Sequence, residues 1–73
     1  MSRLADMLRT SAQADKAKAL LTLELLEKHP AGIGDHSTGD FYENAESALQ
    51  MLVDADDRLE ALDTYFNEQE LLV

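Results

Sequence analysis

The sequence predicts an all-α protein: an antiparallel two-helix hairpin that doubles into a four-helix bundle. Three observations carry this expectation. From Phe41 to Phe66 the apolar residues Phe41, Ala45, Ala48, Leu52, Ala55, Leu59, Leu62 and Phe66 recur in alternating steps of four and three. That spacing is the repeat of a helix with one continuous apolar seam. A second run of helix formers precedes it, and Pro30, Gly32 and Gly34 separate the two. Finally, Leu20, Leu21, Leu23, Leu25 and Leu26 are too many for one narrow stripe. At about 100° per residue they cover well over half the circumference, so this helix expects contact from more than one side.

The first helix is expected over about residues 3–28. Leu4, Met7 and Leu8 open an apolar face, Ala12, Ala14, Ala17 and Ala19 continue it, and the five leucines follow. Glu24 and Lys28 form a favourable pair four residues apart. Pro30 then disfavours helical geometry at His29 and removes a backbone donor. The connection, residues 29–39 (HPAGIGDHSTG), is longer than the usual link of about two to eight residues. Ile33 is expected to fold over the hairpin end as an apolar plug.

The second helix is expected over about residues 40–69. Asp40 as N-cap with Glu43 three residues on resembles a capping box. Glu43 and Glu46 sit favourably near the positive end of the helix dipole. Leu71, Leu72 and Val73 form an apolar tail suited to docking on a neighbour. Folding the helices back on each other sets Leu20–Leu26 against Ala45 and Ala48. Ala14 and Ala17 then fall near Leu52 and Ala55, and Leu4, Met7 and Leu8 near Leu62, Tyr65 and Phe66. Large side chains would face small ones, as interdigitated packing requires.

The totals narrow the function. Seventy-three residues allow one domain (1–73) with a modest core, and chains this short often need a staple. With no cysteine, disulfides and thiolate metal sites are excluded, which leaves oligomerisation as the accessible staple. The net charge is −9 and unevenly placed. Met1–Lys28 holds five Lys/Arg and four Asp/Glu, giving +1; Asp35 adds −1; Asp40–Val73 holds one Arg and ten Asp/Glu, giving −9. This balance argues against direct binding to nucleic acid or an anionic membrane and permits a basic partner. No stretch approaches the ~20 apolar residues of a membrane span, and no signal-peptide core is present, so the chain is expected in the cytoplasm.

The segments HPAGIGDHSTGDFYENAE and DADDRLE, within Leu25–Phe66, resemble small helical proteins of T-even-like phages, marine ones included. The resemblance covers about 40 of the 73 residues. It implies a protein working in the cytoplasm of an infected bacterium, and it transfers no catalytic residue.

Five constellations could carry chemistry. Glu24 and Glu27 end the first helix and Glu43 and Glu46 begin the second, so a hairpin gathers them near one end. The pattern resembles the ExxE–ExxD magnesium motif of MazG-type nucleotide pyrophosphohydrolases, which implies a divalent metal holding nucleotide phosphates. Against it, the second motif ends in Glu46 rather than Asp, and Glu43 and Glu46 lie off the seam. Exposed helix surface explains these residues more simply. Asp35, Ser37, Gly39, Phe41, Glu43 and Glu46 match a calcium-loop spacing, but Asp40 stands where that loop needs glycine. Asp35, His36 and Ser37 are consecutive and diverge, so they cannot form a relay. His36 beside Asp35 or Asp40 could bind zinc only across a dimer. Asp54, Asp56, Asp57, Glu60 and Asp63 form an acidic band that could imitate a phosphate backbone and occupy a basic host protein.

The sequence therefore points to a non-enzymatic structural or interaction module with no catalytic residue and no cofactor. Its expected partner is itself, as a dimer or tetramer, with a basic host protein as the alternative. The expected interface is Leu20, Leu21, Leu23, Leu25, Leu26, Leu49 and Leu52.

Overall fold

A computed structural model describes residues 2–28 and 38–66, with backbone only for Thr38 and Gly39. It contains two helices, α1 (Arg3–Lys28) and α2 (Thr38–Tyr65), which pack against each other. Ile33, the 35–37 triplet and the tail 67–73 lie outside the described residues, and so does the stretch that would carry α2 to Gln69.

α1 has the expected bounds, and its start has a local cause. Ser2 is the N-cap: Ala5 N–H donates to Ser2 Oγ at 3.0 Å, and Asp6 N–H donates to the Ser2 carbonyl at 3.0 Å. Asp6 in the first turn and Lys28 in the last complement the helix dipole. Lys28 Nζ also meets Glu24 at 2.8 Å. α2 begins at Thr38, two residues before the expected cap, so Asp40 lies inside the first turn. There its charge still faces the positive helix end. At the other terminus Phe66 N–H donates to the Leu62 carbonyl at 2.8 Å and closes the last turn.

Cross-helix ion pairs fix direction and register. Arg9 meets Asp63 at 3.3 Å and Lys16 meets Asp56 at 2.9 Å. Seven residues forward on α1 correspond to seven back on α2, so the helices are antiparallel. The next step places Leu23 opposite Leu49. On the other flank Arg58 meets Asp15 at 2.7 Å.

The seam between the helices differs from the expected one on α1. The buried residues are Ala5, Ala12, Ala19 and Leu26 on α1, and Ala48, Ala55 and Leu62 on α2. Each set repeats every seven residues, the period of antiparallel helices that stay in contact along their length. Ala14, Ala17, Leu4 and Met7, expected in the contact, are exposed. In the register set by the ion pairs Ala12 lies opposite Leu62, Ala19 opposite Ala55 and Leu26 opposite Ala48, so every contact holds at least one alanine, and among the described residues no large side chain is fully buried. The physical reason is approach distance. Methyl groups at the contact let the axes come to the short end of the usual range of about 8–10 Å, where leucines would hold them apart. On α2 the expected seam holds from Phe41 to Leu62, each member being buried or half-buried, whereas Phe66 is 51% exposed.

The result is a rod. Its cross-section is 17 by 15 Å, two helices wide and one deep, and its long dimension is 54 Å. The radius of gyration is 16.3 Å, against about 11 Å for a compact globule of this length.

Candidate interaction surface

An alanine seam buries little apolar area. An alanine at a contact contributes about 2 kcal/mol less burial free energy than a leucine would, at ~0.8 kcal/mol per CH2. The large apolar side chains lie outside instead. Leu4, Met7 and Leu8 are exposed near the start of α1, and Tyr65 and Phe66 near the end of α2. Leu20, Leu21 and Leu25 are exposed toward the end of α1, and Tyr42, Leu49, Met51 and Val53 on the facing half of α2. These twelve side chains are 39–78% exposed.

The expected interface residues separate into three groups. Leu20, Leu21, Leu25 and Leu49 are about half exposed and available to a partner. Leu23 and Leu52 are half-buried beside the seam. Leu26, at 4% exposure, is used within the hairpin itself.

Near the end of α1 the two helices leave an open groove of about 340 Å3. Ala19 and Ala48 form part of it, with Thr22, Leu25, Leu26, Asn44, Ser47 and Met51 around them. It exists because Thr22 and Ser47 stand where larger side chains would fill the flank. No titratable side chain lines it. It therefore offers apolar contact and a few hydrogen bonds but no acid, base or nucleophile.

The carboxylates singled out from the sequence do not converge. Glu24, Glu27, Glu43 and Glu46 are all exposed, and Glu24 pairs with Lys28. Among the described residues no group of three or more His, Cys, Asp or Glu side chains could hold a metal ion. The acidic band of α2 is interrupted by cations, from α1 as well as from Arg58 within it. Asp56 pairs with Lys16 and Asp63 with Arg9, while Asp54 Oδ2 lies 3.1 Å from Arg58 Nε. Asp57 and Glu60 remain exposed.

Arg58 is half-buried and meets a carboxylate on each helix. Its Nη2 donates to Asp15 at 2.7 Å. Its Nε is shielded from solvent, and its contact with Asp54 has the distance of an ion pair without hydrogen-bond geometry. The hydrogen bond to Asp15 raises the guanidinium pKa above its ordinary value, with the charges of Asp54 and Asp15 adding to it. Partial desolvation opposes the shift and does not overcome it.

Sequence reasoning missed three features: the Ser2 cap, the alanine repeat at 5, 12 and 19, and the ion pairs between helices. A signal for each was present. Ser2 directly precedes the helical run, and the cations at 9 and 16 have the same spacing of seven as the anions at 56 and 63.

No protein-family model matches this chain, and no curated protein or solved structure matches it. The class is therefore defined by the structure alone: an all-helical, two-helix antiparallel hairpin. Among the described residues no helix is long and apolar enough to cross a membrane.

Proposed function

We propose that the protein is a non-enzymatic interaction module that self-associates through the large apolar side chains outside its own seam. One observation carries the reading: among the described residues twelve such side chains are 39–78% exposed, while five of the seven buried apolar residues are alanine. Full burial of a large apolar side chain contributes about 1.5–3 kcal/mol, so twelve side chains roughly half exposed leave about 10–20 kcal/mol unrealised. That exceeds the ~3–5 kcal/mol a core in a domain this small usually supplies. The phage-protein resemblance of residues 25–66 supports a role in the cytoplasm of an infected bacterium.

The acidic-mimic alternative has less support. Three of the five carboxylates in its band are paired with cations, so they do not present an unbroken row of free charge. The metal-dependent hydrolase alternative has less still, since its four glutamates are spread over the exposed surface.

The test is solution mass over a concentration series. A dimer or larger species that forms with increasing concentration supports the reading. Leu21→Asp, at a side chain 58% exposed, is expected to weaken association with helix content unchanged. A parent chain monomeric throughout the series would refute self-association.

A further inference from the structure

The outer side of α1 carries a second seam that its own partner helix does not touch. Leu4, Met7, Ser11, Ala14, Lys18, Leu21 and Leu25 follow in steps of three and four. All seven are exposed. They lie about 130° around the helix from the buried row Ala5, Ala12, Ala19 and Leu26, at ~100° per residue. We infer that this seam binds the same seam of a second copy, antiparallel, about a two-fold axis passing close to Ala14. The inference rests on the self-association proposed above and names its face and direction.

Residue spacing and charge select this arrangement. An axis at Ala14 puts Met7 against the second copy's Leu21, because each lies seven residues from the centre. To within one residue it also puts Leu4 beside Leu25 and Ser11 beside Lys18. Ala14 meets its own copy, with only methyl groups at the centre, as in the seam within the hairpin. Arg3, beside the seam at one end, comes level with Glu24 of the second copy, and the symmetry makes this ion pair twice. Among the described residues neither Arg3 nor Lys18 pairs with a carboxylate of its own chain. In the dimer Arg3 gains Glu24, and Lys18 gains the Ser11 hydroxyl.

The competing arrangements each set like charges together or fail to close. Parallel pairing of the same seam puts Arg3 on Arg3, Lys18 on Lys18 and Glu24 on Glu24. Pairing α2 with α2 through their outer sides opposes Glu43, Glu46, Asp57 and Glu60 to themselves, all exposed. Pairing this seam with the outer side of α2 of another copy joins two different patches, leaves the second copy's seam free and so extends rather than closes. The two-fold antiparallel contact of α1 leaves both acidic helices outermost. It also brings Leu4 of the second copy beside Leu25, a wall of the open groove.

The test uses the absence of cysteine from the chain, so that one substitution gives one thiol. Ala14→Cys is expected to form a covalent dimer on mild oxidation, because residues at a close two-fold contact fall near the Cα separation of about 4.4–6.8 Å that a disulfide requires. Gln50→Cys, on the outer side of α2, is expected to give little covalent dimer under the same conditions. Glu24→Arg is expected to raise the dissociation constant about three- to tenfold, and Arg3→Glu combined with Glu24→Arg to restore it. A non-covalent dimer that Ala14→Cys does not trap, and whose affinity ignores both charge changes, overturns this interface and leaves self-association standing. A chain monomeric at every concentration overturns both.

Discussion

Ala12→Leu tests the seam most directly. Ala12 and Ala55 are both 0% exposed, and they lie in the stretch where Arg58 reaches Asp15 and Lys16 reaches Asp56. Leucine adds three carbons. If the seam could open without cost, their burial would stabilise the hairpin by about 2.4 kcal/mol, at ~0.8 kcal/mol per CH2. It cannot open freely, because moving the axes apart stretches ion pairs at 2.7 and 2.9 Å along both flanks and separates the neighbouring methyl contacts. Overpacking a close contact costs about 1–3 kcal/mol. The helix-propensity difference between alanine and leucine is a few tenths of a kcal/mol and decides nothing. A net loss of about 1–3 kcal/mol is expected. At about 4–8 °C per kcal/mol for a domain of this size, the melting temperature falls by about 4–24 °C. The assay is thermal melting followed by far-ultraviolet circular dichroism, at one fixed protein concentration because association shifts the midpoint. Ala61→Leu, the same change at an exposed position of α2, is the control and is expected to move stability by less than about 0.5 kcal/mol. An Ala12→Leu chain melting at or above the parent would show that close approach is not what holds the helices together.

Three further outcomes follow from the same geometry. Leu26→Ala removes one of the two leucines buried among the described residues, and its cost in urea denaturation is expected near the low end of the usual 2–5 kcal/mol, because the adjoining groove is already open. A loss below about 0.5 kcal/mol would contradict its place in the seam. Ser2→Ala removes the acceptor for Ala5 N–H and is expected to weaken the first turn by about 1 kcal/mol, seen as faster amide exchange at Ala5. Unchanged exchange there would show that the cap does not act. For Arg58 the folded pKa is raised, so its contribution is complete below the ordinary guanidinium range and is lost only as pH rises through the still higher folded value. The stability difference between the parent and Arg58→Met is therefore expected to be the same at about pH 6 and about pH 9; a difference that shrinks toward pH 9 would contradict this assignment.

How much of this was legible in the sequence depends on which residues carried the signal. On α2 the seam mixes Phe41, Leu52, Leu59 and Leu62 with alanines, so apolar weight and contact position coincide, and the repeat reads directly. On α1 they separate. The heaviest apolar residues, Leu20, Leu21 and Leu25, are exposed, and the contact is made by Ala5, Ala12 and Ala19. A reading weighted by hydrophobicity follows the leucines and places Ala14 and Ala17 in the seam instead. What selects Ala12 and Ala19 is sterics joined to charge. They are the small residues seven apart whose neighbours Arg9 and Lys16 can reach Asp63 and Asp56. The start of α2 illustrates a smaller limit, since Asp40 has the character of a cap and Thr38 and Gly39 nonetheless extend the helix by two residues.

The alanine contact and the exposed leucines are two consequences of one arrangement. A helix has one circumference, and a row of methyl groups every seventh residue uses its narrowest part for the partner helix. Whatever large apolar side chains the helix carries must then lie on the remaining sides. On α2 the remaining sides are mostly acidic, which favours water and disfavours a second copy. On α1 they are apolar from Leu4 to Leu25, with Lys18 the one charge in the stripe and Arg3 and Glu24 beside its ends. Had the hairpin closed on Leu21 and Met7, its core would be larger and its outer surface would lack a reason to associate. With the seam on Ala5, Ala12 and Ala19, the pair of helices is thin and elongated, and the apolar surface that would complete a core is presented outward along α1. The outer side of α1 is therefore the surface suited to a partner, where the side chains that would complete a core have no neighbour across from them among the described residues.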